Sequence, residues 1–523
     1  MQKSIITAAA AADLIQNGDD VIVGGSAGMG VAESVLDALE QRFVSAGAPR
    51  DLGIIHTTGV GAVTDRGLNH LAHKGLVRRV IGGNFGLQLP FMKELIVSNE
   101  IQAYNVPQGV MCQLYRAMAA GQPGVVTHVG LHTYMDPRQE GGRMNAATTE
   151  DRVEVVELSG REWLFYRAPR ANVALIRGTT ADEDGNVSME REAAALEALS
   201  IAQAVHNAGG TVVCQVQRLA RRGSLNPKSV IVPGFLVDHF VVDPDQMQNY
   251  AEHFDPSRCG ETVRPLATIE PDPLDLRRVI ARRGAFELSS NAVFNLGVGV
   301  SAGIANVAAE EDMEDLVALT VEAGPVGGIP GKGLYFGSSI NPKAIMEQGY
   351  MFDFYAGGGL DVAFVSFAEV DAQGNVNVTK FGDRNDGAGG FIEITQNAKR
   401  IVFSGTLTGR GLKGDVDGGR LDITSEGGIK KFVPKVNQIS YNAAFGQQRD
   451  QDTMFVTERA VLRMMPNGIT VTELAPGARL KEDVLDQMDF EPQVAADLKE
   501  MDPRIFTAGP MGLREAILAR ETD

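Results

Sequence analysis

Apolar positions along this chain come in short unbroken runs, and most of the runs end in glycine, asparagine or proline. Runs of roughly four to eight apolar residues bounded by turn formers predict strands buried on both faces. The run Val21–Val23 leads into Gly24-Gly25-Ser26-Ala27-Gly28-Met29-Gly30, and then into Val31, Val35, Leu36 and Leu39 at helical spacing. That is strand, glycine loop, helix. Further strands are predicted at Gly53–Thr57, Val77–Gly82 and Ile101–Tyr104, and Leu316–Val321 delivers Glu322 into a turn of glycine and proline. The alanine-rich start, Met1–Ile15, predicts a first helix closed by Gly18 rather than a cleaved signal. Repeated strand, glycine-turn and helix units imply an α/β fold with parallel sheets.

Two pairs of segments resemble each other within the chain. Asn172–Val187 matches Asp361–Val376, each a buried strand followed by an Asp-x-x-Gly-Asn bend, and Val21–Gly30 matches Val293–Gly303. The reading is two similar open α/β domains. Residues 1–245 form the first and residues 274–523 the second. Residues 246–273, within the polar, proline-bearing stretch Asp243–Pro273, are the linker. A length of 523 residues and a hydrophobic content of 44% leave ample core for both.

Composition narrows the function. A formal charge of −18 excludes a nucleic-acid partner, because phosphate neutralisation needs a basic face. Cys112, Cys214 and Cys259 have neither disulfide-framework nor zinc spacing, which fits a reducing, cytoplasmic setting. No run of about 18 apolar residues exists to cross a membrane. No His, Cys and carboxylate grouping has metal-ligand spacing, so no metal is expected.

Glu322 stands at the carboxyl end of a strand, where open α/β sheets bind ligands. Gln108, in a turn after a strand, carries an amide able to donate to a developing oxyanion. Gly297-Val298-Gly299, ahead of Gly303, presents free N–H groups and a helix start to an anion. The runs containing Gly358 and Gly359, and Gly389 and Gly390, follow apolar segments and suit a cleft wall. Gly24–Gly28 fits the G-x-S-x-G elbow of serine hydrolases with Ser26 as nucleophile, yet all eight histidines lie in the first half and none is placed as its base. A structural turn is the favoured reading there. Basic clusters at Arg78/Arg79, Arg218/Arg221/Arg222, Arg277/Arg278/Arg282/Arg283 and Lys430/Lys431 offer one candidate contact for phosphates.

Taken together, Ile81–Gly86, Ala103–Gly109, Val129–Arg138 with Gly141 and Gly142, Val321–Pro325, Phe352–Asp361 and Phe455–Val461 resemble the class I coenzyme A transferases, and most nearly their single-chain short-chain acyl-CoA branch. Ser26 and Ala32 depart from the widest family pattern, and Val-Glu-Ala-Gly stands where two-chain members carry Ser-Glu-Asn-Gly. The resemblance implies two related α/β halves with the active site between them. It makes Glu322 the covalent nucleophile, Gln108 an oxyanion neighbour, and Gly297–Gly299 and Gly389–Gly390 contacts for CoA. It further implies CoA transfer between a short-chain acyl-CoA and a carboxylate such as acetate, propionate, butyrate or a 3-oxoacid, by a ping-pong route through a glutamyl-CoA thioester. No cofactor is implied beyond the CoA substrate, and the assembly implied is a homodimer or homotetramer. The alternatives are an acyl-CoA hydrolase or a citrate-lyase-like acyl transferase, then a non-catalytic CoA or sugar-phosphate binding module, with a serine hydrolase using Ser26 less favoured.

Overall fold

A computed structural model describes residues 3–62, 64–86, 89–265, 271–382 and 384–520. Among these residues the chain builds two ten-stranded sheets, one from each half. The first sheet runs Ser4–Ile6, His239–Val242, Thr211–Ala220, Val173–Asp182, Asp20–Val23, Leu52–His56, Val77–Gly82 and Gln102–Asn105 in spatial order, every neighbour on that path parallel. At the heart of the second sheet lie five parallel strands, ordered Ala318–Thr320, Val293–Leu296, Val362–Ser366, Arg400–Ser404 and Asp452–Val456. Strands covered on both faces cannot alternate, and the unbroken apolar runs follow from that.

In each sheet the chain order reverses about one strand, Asp20–Val23 in the first and Val293–Leu296 in the second. Such switch points open crevices beyond the carboxyl ends of strands. The repeat seen in the sequence has a structural counterpart at its turns. Asp182 Oδ1 accepts the N–H groups of Asp184 and Asn186 at 3.0 and 2.9 Å, and Asp371 Oδ1 accepts those of Gln373 and Asn375 at 3.0 and 3.0 Å. In both, the asparagine amide returns to Oδ2 at 3.1 Å.

The start of the chain differs from the sequence expectation. Ser4–Ile6 is an edge strand paired with His239–Val242, and the helix is confined to Ala8–Asp13. Two consecutive isoleucines favour the strand. Thr7 then caps the helix, its Oγ1 accepting the Ala10 N–H at 3.1 Å.

In the stretch 246–265, Gln248, Asn249 and Asp255 are buried, and Asn341 of the second half donates its N–H to Ser257 O and accepts the Arg264 N–H at Oδ1, each at 2.8 Å. Residues 266–270 of the same stretch lie outside the described residues. The two cores interlock beyond it: Ala388 and Ile392 pack into a first-half cluster, and Cys112 into a second-half one. No helix among the described residues is long and apolar enough to cross a membrane.

Among the described residues, one grouping has metal-type donors in reach, Asp37, Glu40 and His70. His70 uses both ring nitrogens on carboxylates, Nε2 with Glu33 at 3.1 Å and Nδ1 with Glu40 at 2.5 Å. Though burial opposes its charge, the two carboxylates dominate and raise it to about 9, which makes the group an ion-paired clamp.

Candidate active site

The carboxyl ends of both sheets face one cavity of about 280 Å³. From the first half come Ser26 and Ala27 after Asp20–Val23, Thr58 and Gly59 after Leu52–His56, and Asn84 and Gly86 after Val77–Gly82. From the second come Gly297 and Val298 after Val293–Leu296, Glu322 after Ala318–Thr320, Val365 and Ser366 at the end of Val362–Ser366, and the loop Arg384–Gly390.

Glu322 is presented by a closed turn. Gly324 N–H bonds Val321 O at 2.9 Å and Val321 N–H bonds Pro325 O at 3.0 Å. Gly324 has φ 124°, and a Cβ there would stand 2.0 Å from Met346 O, so only glycine completes this turn. Beneath it, Thr320 Oγ1 donates to Phe294 O at 2.7 Å and accepts from Tyr355 at 2.8 Å, which fixes the strand.

The glycine loop closes over the carboxylate from the other side. Gly389 N–H bonds Gly83 O at 2.7 Å, Gln108 N–H bonds Gly389 O at 3.0 Å, and Phe85 N–H bonds Asp386 O at 2.7 Å. The halves are therefore joined backbone to backbone at the site. At Gly390 a Cβ would lie 2.6 Å from Glu322 Oε2 and 2.8 Å from the Phe352 ring.

Burial raises Glu322 from the usual carboxylate value to about 7, and the Gln108 amide facing it pulls the other way. That facing contact is electrostatic; the aligned hydrogen bond of Gln108 Nε2 goes to Gln348 Oε1 at 3.2 Å. Glu393, buried in the next layer, is raised to about 8 by desolvation and by the charge of Glu322, against the N–H groups of Val110 and Gly109 that it accepts. A carboxylate poised near neutrality in a cleft is a candidate nucleophile or base.

Residues 5–243 match the family profile described as Coenzyme A transferase. The chain is also 44% identical over 492 residues to the acetate CoA-transferase YdiF of Escherichia coli K12, covering 94% of this chain and 92% of that one. The chain belongs to the coenzyme A transferase family. It is 41% identical over 513 residues to the caffeate CoA-transferase of Acetobacterium woodii, covering 96% of this chain and 97% of that one. The crystal structure of acyl-CoA transferase YdiF apoenzyme from E. coli O157:H7 superimposes with TM-score 0.93 at 42% identity, over 98% of this chain and 97% of that one. The protein is thus a CoA-transferase, an enzyme moving CoA between an acyl-CoA and a carboxylate.

For a CoA-transferase the structure brings together most of the residues singled out in the sequence. Glu322, Gly297, Val298, Gly389 and Gly390 line the cavity, and Gln108 stands directly behind it against Glu322. Gly299 lies just off the wall, beside Ser366. Gly358 and Gly359 are displaced from it: they follow the helix Gln348–Ala356, where the Gly358 N–H bonds Tyr355 O at 3.0 Å, and their work is ending that helix. Ser26 does line the cavity, but among the described residues no histidine hydrogen-bonds its hydroxyl, which leaves it without a base. None of the basic clusters reaches the site. Arg78 and Arg79 bond Asp20, Arg218 bonds Glu190, Arg283 bonds Glu473, and Lys430 pairs with Asp489. Among the described residues, the cation lining the cavity is Arg384, bonded to Asp386, which also takes Lys93. The signal for Arg384 was its place at the head of the Gly387–Gly390 run. Glu393 gave none, being one acid in a buried helix.

Proposed function

We propose that Glu322 is the nucleophile of a ping-pong CoA transfer between short-chain acyl-CoA and a free carboxylate of acetate, propionate, butyrate or 3-oxoacid type. The observation that carries this is the desolvated Glu322 carboxylate, raised to about 7, in a cavity where glycine loops of both halves meet. Glu322 attacks the thioester carbonyl, the C–S bond breaks, and CoA thiolate leaves an acyl-glutamyl anhydride. The thiolate attacks the glutamyl carbonyl and expels the first carboxylate, leaving a glutamyl-CoA thioester. A second carboxylate runs the steps in reverse. The activated acyl group is kept at every stage, as a thioester or as an anhydride beside the CoA thiolate, so the reaction needs no further cofactor, and covalent catalysis splits it into two manageable exchanges. Exclusion of water protects both intermediates, and the backbone bonds between Gly83, Gly389 and Gln108 support a closed cleft.

Gln108 is placed to donate to the oxyanion. Gly297–Gly299 and Gly389–Gly390 offer backbone N–H groups along the wall, and Arg384 offers a charge for the CoA phosphates. One structure of the E. coli O157:H7 relative is described as a thioester complex with CoA, which supports the same intermediate here. Acetate is named for one relative and caffeate for another, so aryl acids are the natural control panel. A cytoplasmic setting and a homodimer or homotetramer belong to the same proposal. Buried unpaired thiols at Cys112 and Cys214 support the first and family likeness the second.

The test is intact mass after incubation with acetyl-CoA, followed by peptide mapping. The expected result is a CoA-thioester adduct on the peptide containing Glu322, absent from Glu322→Ala, and no release of free CoA beyond the protein's own equivalents without an acceptor acid. Full turnover by Glu322→Ala would sink the nucleophile. Steady CoA release without acceptor would mean a hydrolase. Saturable CoA binding with no exchange at all would mean a binding module.

A further inference from the structure

Three helices begin at one buried point behind Glu322. Gln108 opens Gln108–Ala119, Gln348 opens Gln348–Ala356, and Glu197 is the cap residue of Ala198–Asn207. All three side chains are buried, Gln108 and Gln348 completely. They form a directional chain. Gln348 Nε2 donates to Glu197 Oε2 at 3.0 Å, and Gln108 Nε2 donates to Gln348 Oε1 at 3.2 Å. The other oxygen of Glu197 takes the Thr57 hydroxyl, and the backbone N–H of Gln348 bonds Leu196 O at 3.2 Å.

We infer that Glu197 and Gln348 are positioning residues that set the polarity of the Gln108 amide, holding its NH2 rather than its carbonyl toward Glu322 and the reacting oxyanion. The inference rests on the transferase reading above. An amide is nearly symmetric in shape, so shape alone leaves Gln108 free to turn over. A carboxylate is not symmetric in this sense. In the structure Glu197 accepts at both oxygens, from the Thr57 hydroxyl and from Gln348 Nε2. In that arrangement Gln348 offers its NH2 to Glu197 and its carbonyl to Gln108. Gln108 then offers its NH2 to Gln348, with the same amide facing Glu322. The cost is visible: Gln108 Oε1 is buried with no hydrogen-bond partner. A buried orphan acceptor is tolerated where the reverse orientation would be worse, and here the reverse would set a carbonyl dipole against a carboxylate and a developing oxyanion.

The other groups facing this chain do not supply the same polarity. Cys112 receives only a long contact from Gln348 Nε2, at 3.7 Å, and burial keeps its thiol neutral, as it does the Tyr115 phenol beyond Thr57. Arg116 is bonded to Asp353, while Glu347 and Glu393 sit nearby as further carboxylates, both raised by burial.

The test is rapid-quench formation of the Glu322 adduct with acetyl-CoA, comparing the protein with Gln348→Leu and Gln348→Glu from pH 6 to 9, with circular dichroism as the folding control. Gln348→Leu is expected to lower the maximal rate about 10–100-fold, less than or equal to the loss of a direct oxyanion donor, with half-saturating acetyl-CoA within about threefold. In Gln348→Glu, the new buried carboxyl keeps its proton at low pH, so the chain is rebuilt: the acid O–H donates to Glu197 and its carbonyl accepts from Gln108. The rate relative to the unaltered protein is then near one at pH 6 and falls as that carboxyl loses its proton at higher pH. A Gln348→Leu rate within about twofold of the unaltered protein, a loss confined to half-saturation, or a Gln348→Glu ratio flat with pH overturns the inference. Should Gln348→Leu fail to fold, the Gln348→Glu ratio alone decides. Absence of any adduct in the unaltered protein removes the transferase reading and this inference together; an adduct formed equally by all three proteins removes the inference alone.

Discussion

The protonation of Glu322 has a kinetic signature large enough to test directly. On the proposed mechanism only the carboxylate attacks, and burial raises Glu322 to about 7. Its ionised fraction is then about 0.1 at pH 6 and about 0.9 at pH 8, a roughly tenfold rise across two pH units. A solvated glutamate near 4.5 would already be almost fully ionised at pH 6 and would show no rise. The measurement is the second-order rate constant for adduct formation at limiting acetyl-CoA, which reports the free enzyme. Gln108→Leu sharpens the test. The amide lowers the Glu322 value, so its removal moves the midpoint upward as well as lowering the plateau. Glu393, raised to about 8, titrates in the same region, and the two carboxyls act as a pair whose midpoints belong to both. Glu393→Gln removes the second charge and is expected to leave one midpoint and a steeper approach to the plateau. A rate flat between pH 6 and 8 would refute the buried-nucleophile account, as would a midpoint that falls in Gln108→Leu.

Other outcomes follow from contacts at the same cleft. Gly390→Ala places a Cβ 2.6 Å from Glu322 Oε2 and 2.8 Å from the Phe352 ring, so the carboxylate or the ring must move. Overpacking of this kind costs about 1–3 kcal/mol, and a misplaced nucleophile loses on the order of 10²-fold in rate; a Tm and rate equal to the unaltered protein would count against the geometry. Arg384→Ala should raise half-saturating acyl-CoA about tenfold with an unchanged maximal rate, the size of one charge-assisted contact, whereas unchanged saturation would remove Arg384 from the CoA path. Glu197, Glu322 and Glu393 all hold protons in the folded state, at about 8, 7 and 8, that the unfolded chain gives up near 4.5. Stability therefore falls as pH rises through that window, and Glu393→Gln should flatten the fall in Tm between pH 5 and 8. A Tm that climbs over that range would contradict the burial.

Much of this was readable from residue order because parallel sheets write themselves plainly. Runs such as Val21–Val23 and Val173–Ile176 are apolar and buried without a break because both faces are covered, and the Asp182 and Asp371 bends repeat because one aspartate can cap the same turn twice over. The start was misread because Ser4–Ile6 is held by a partner some 230 residues away, His239–Val242, which local spacing cannot show. The same limit applies at the site. Glu322, Gln108 and the glycine loops stand in local motifs at strand ends. Glu197, Gln348 and Glu393 matter through partners in the other half or in the next layer, and each looks alone like an ordinary helix residue. Gly358 and Gly359 carried the composition of a ligand loop but do the work of ending a helix.

On the proposed mechanism, the arrangement answers a conflict built into the chemistry. A glutamate must be desolvated to shield an anhydride and a thioester from water, yet desolvation favours its unreactive acid form. Burial in pure hydrocarbon would carry Glu322 far above neutrality, and full hydration would leave the intermediates open to hydrolysis. Two halves meeting at glycine loops exclude water with backbone rather than with charge, and Gln108 restores part of the lost stabilisation with a neutral donor. A lysine or arginine in that position would hold Glu322 ionised more firmly but would also stabilise the ground-state carboxylate against attack. A neutral amide tethered through Gln348 to Glu197 stabilises charge wherever it appears, first on Glu322 and then on the oxyanion, so its benefit persists into the transition state.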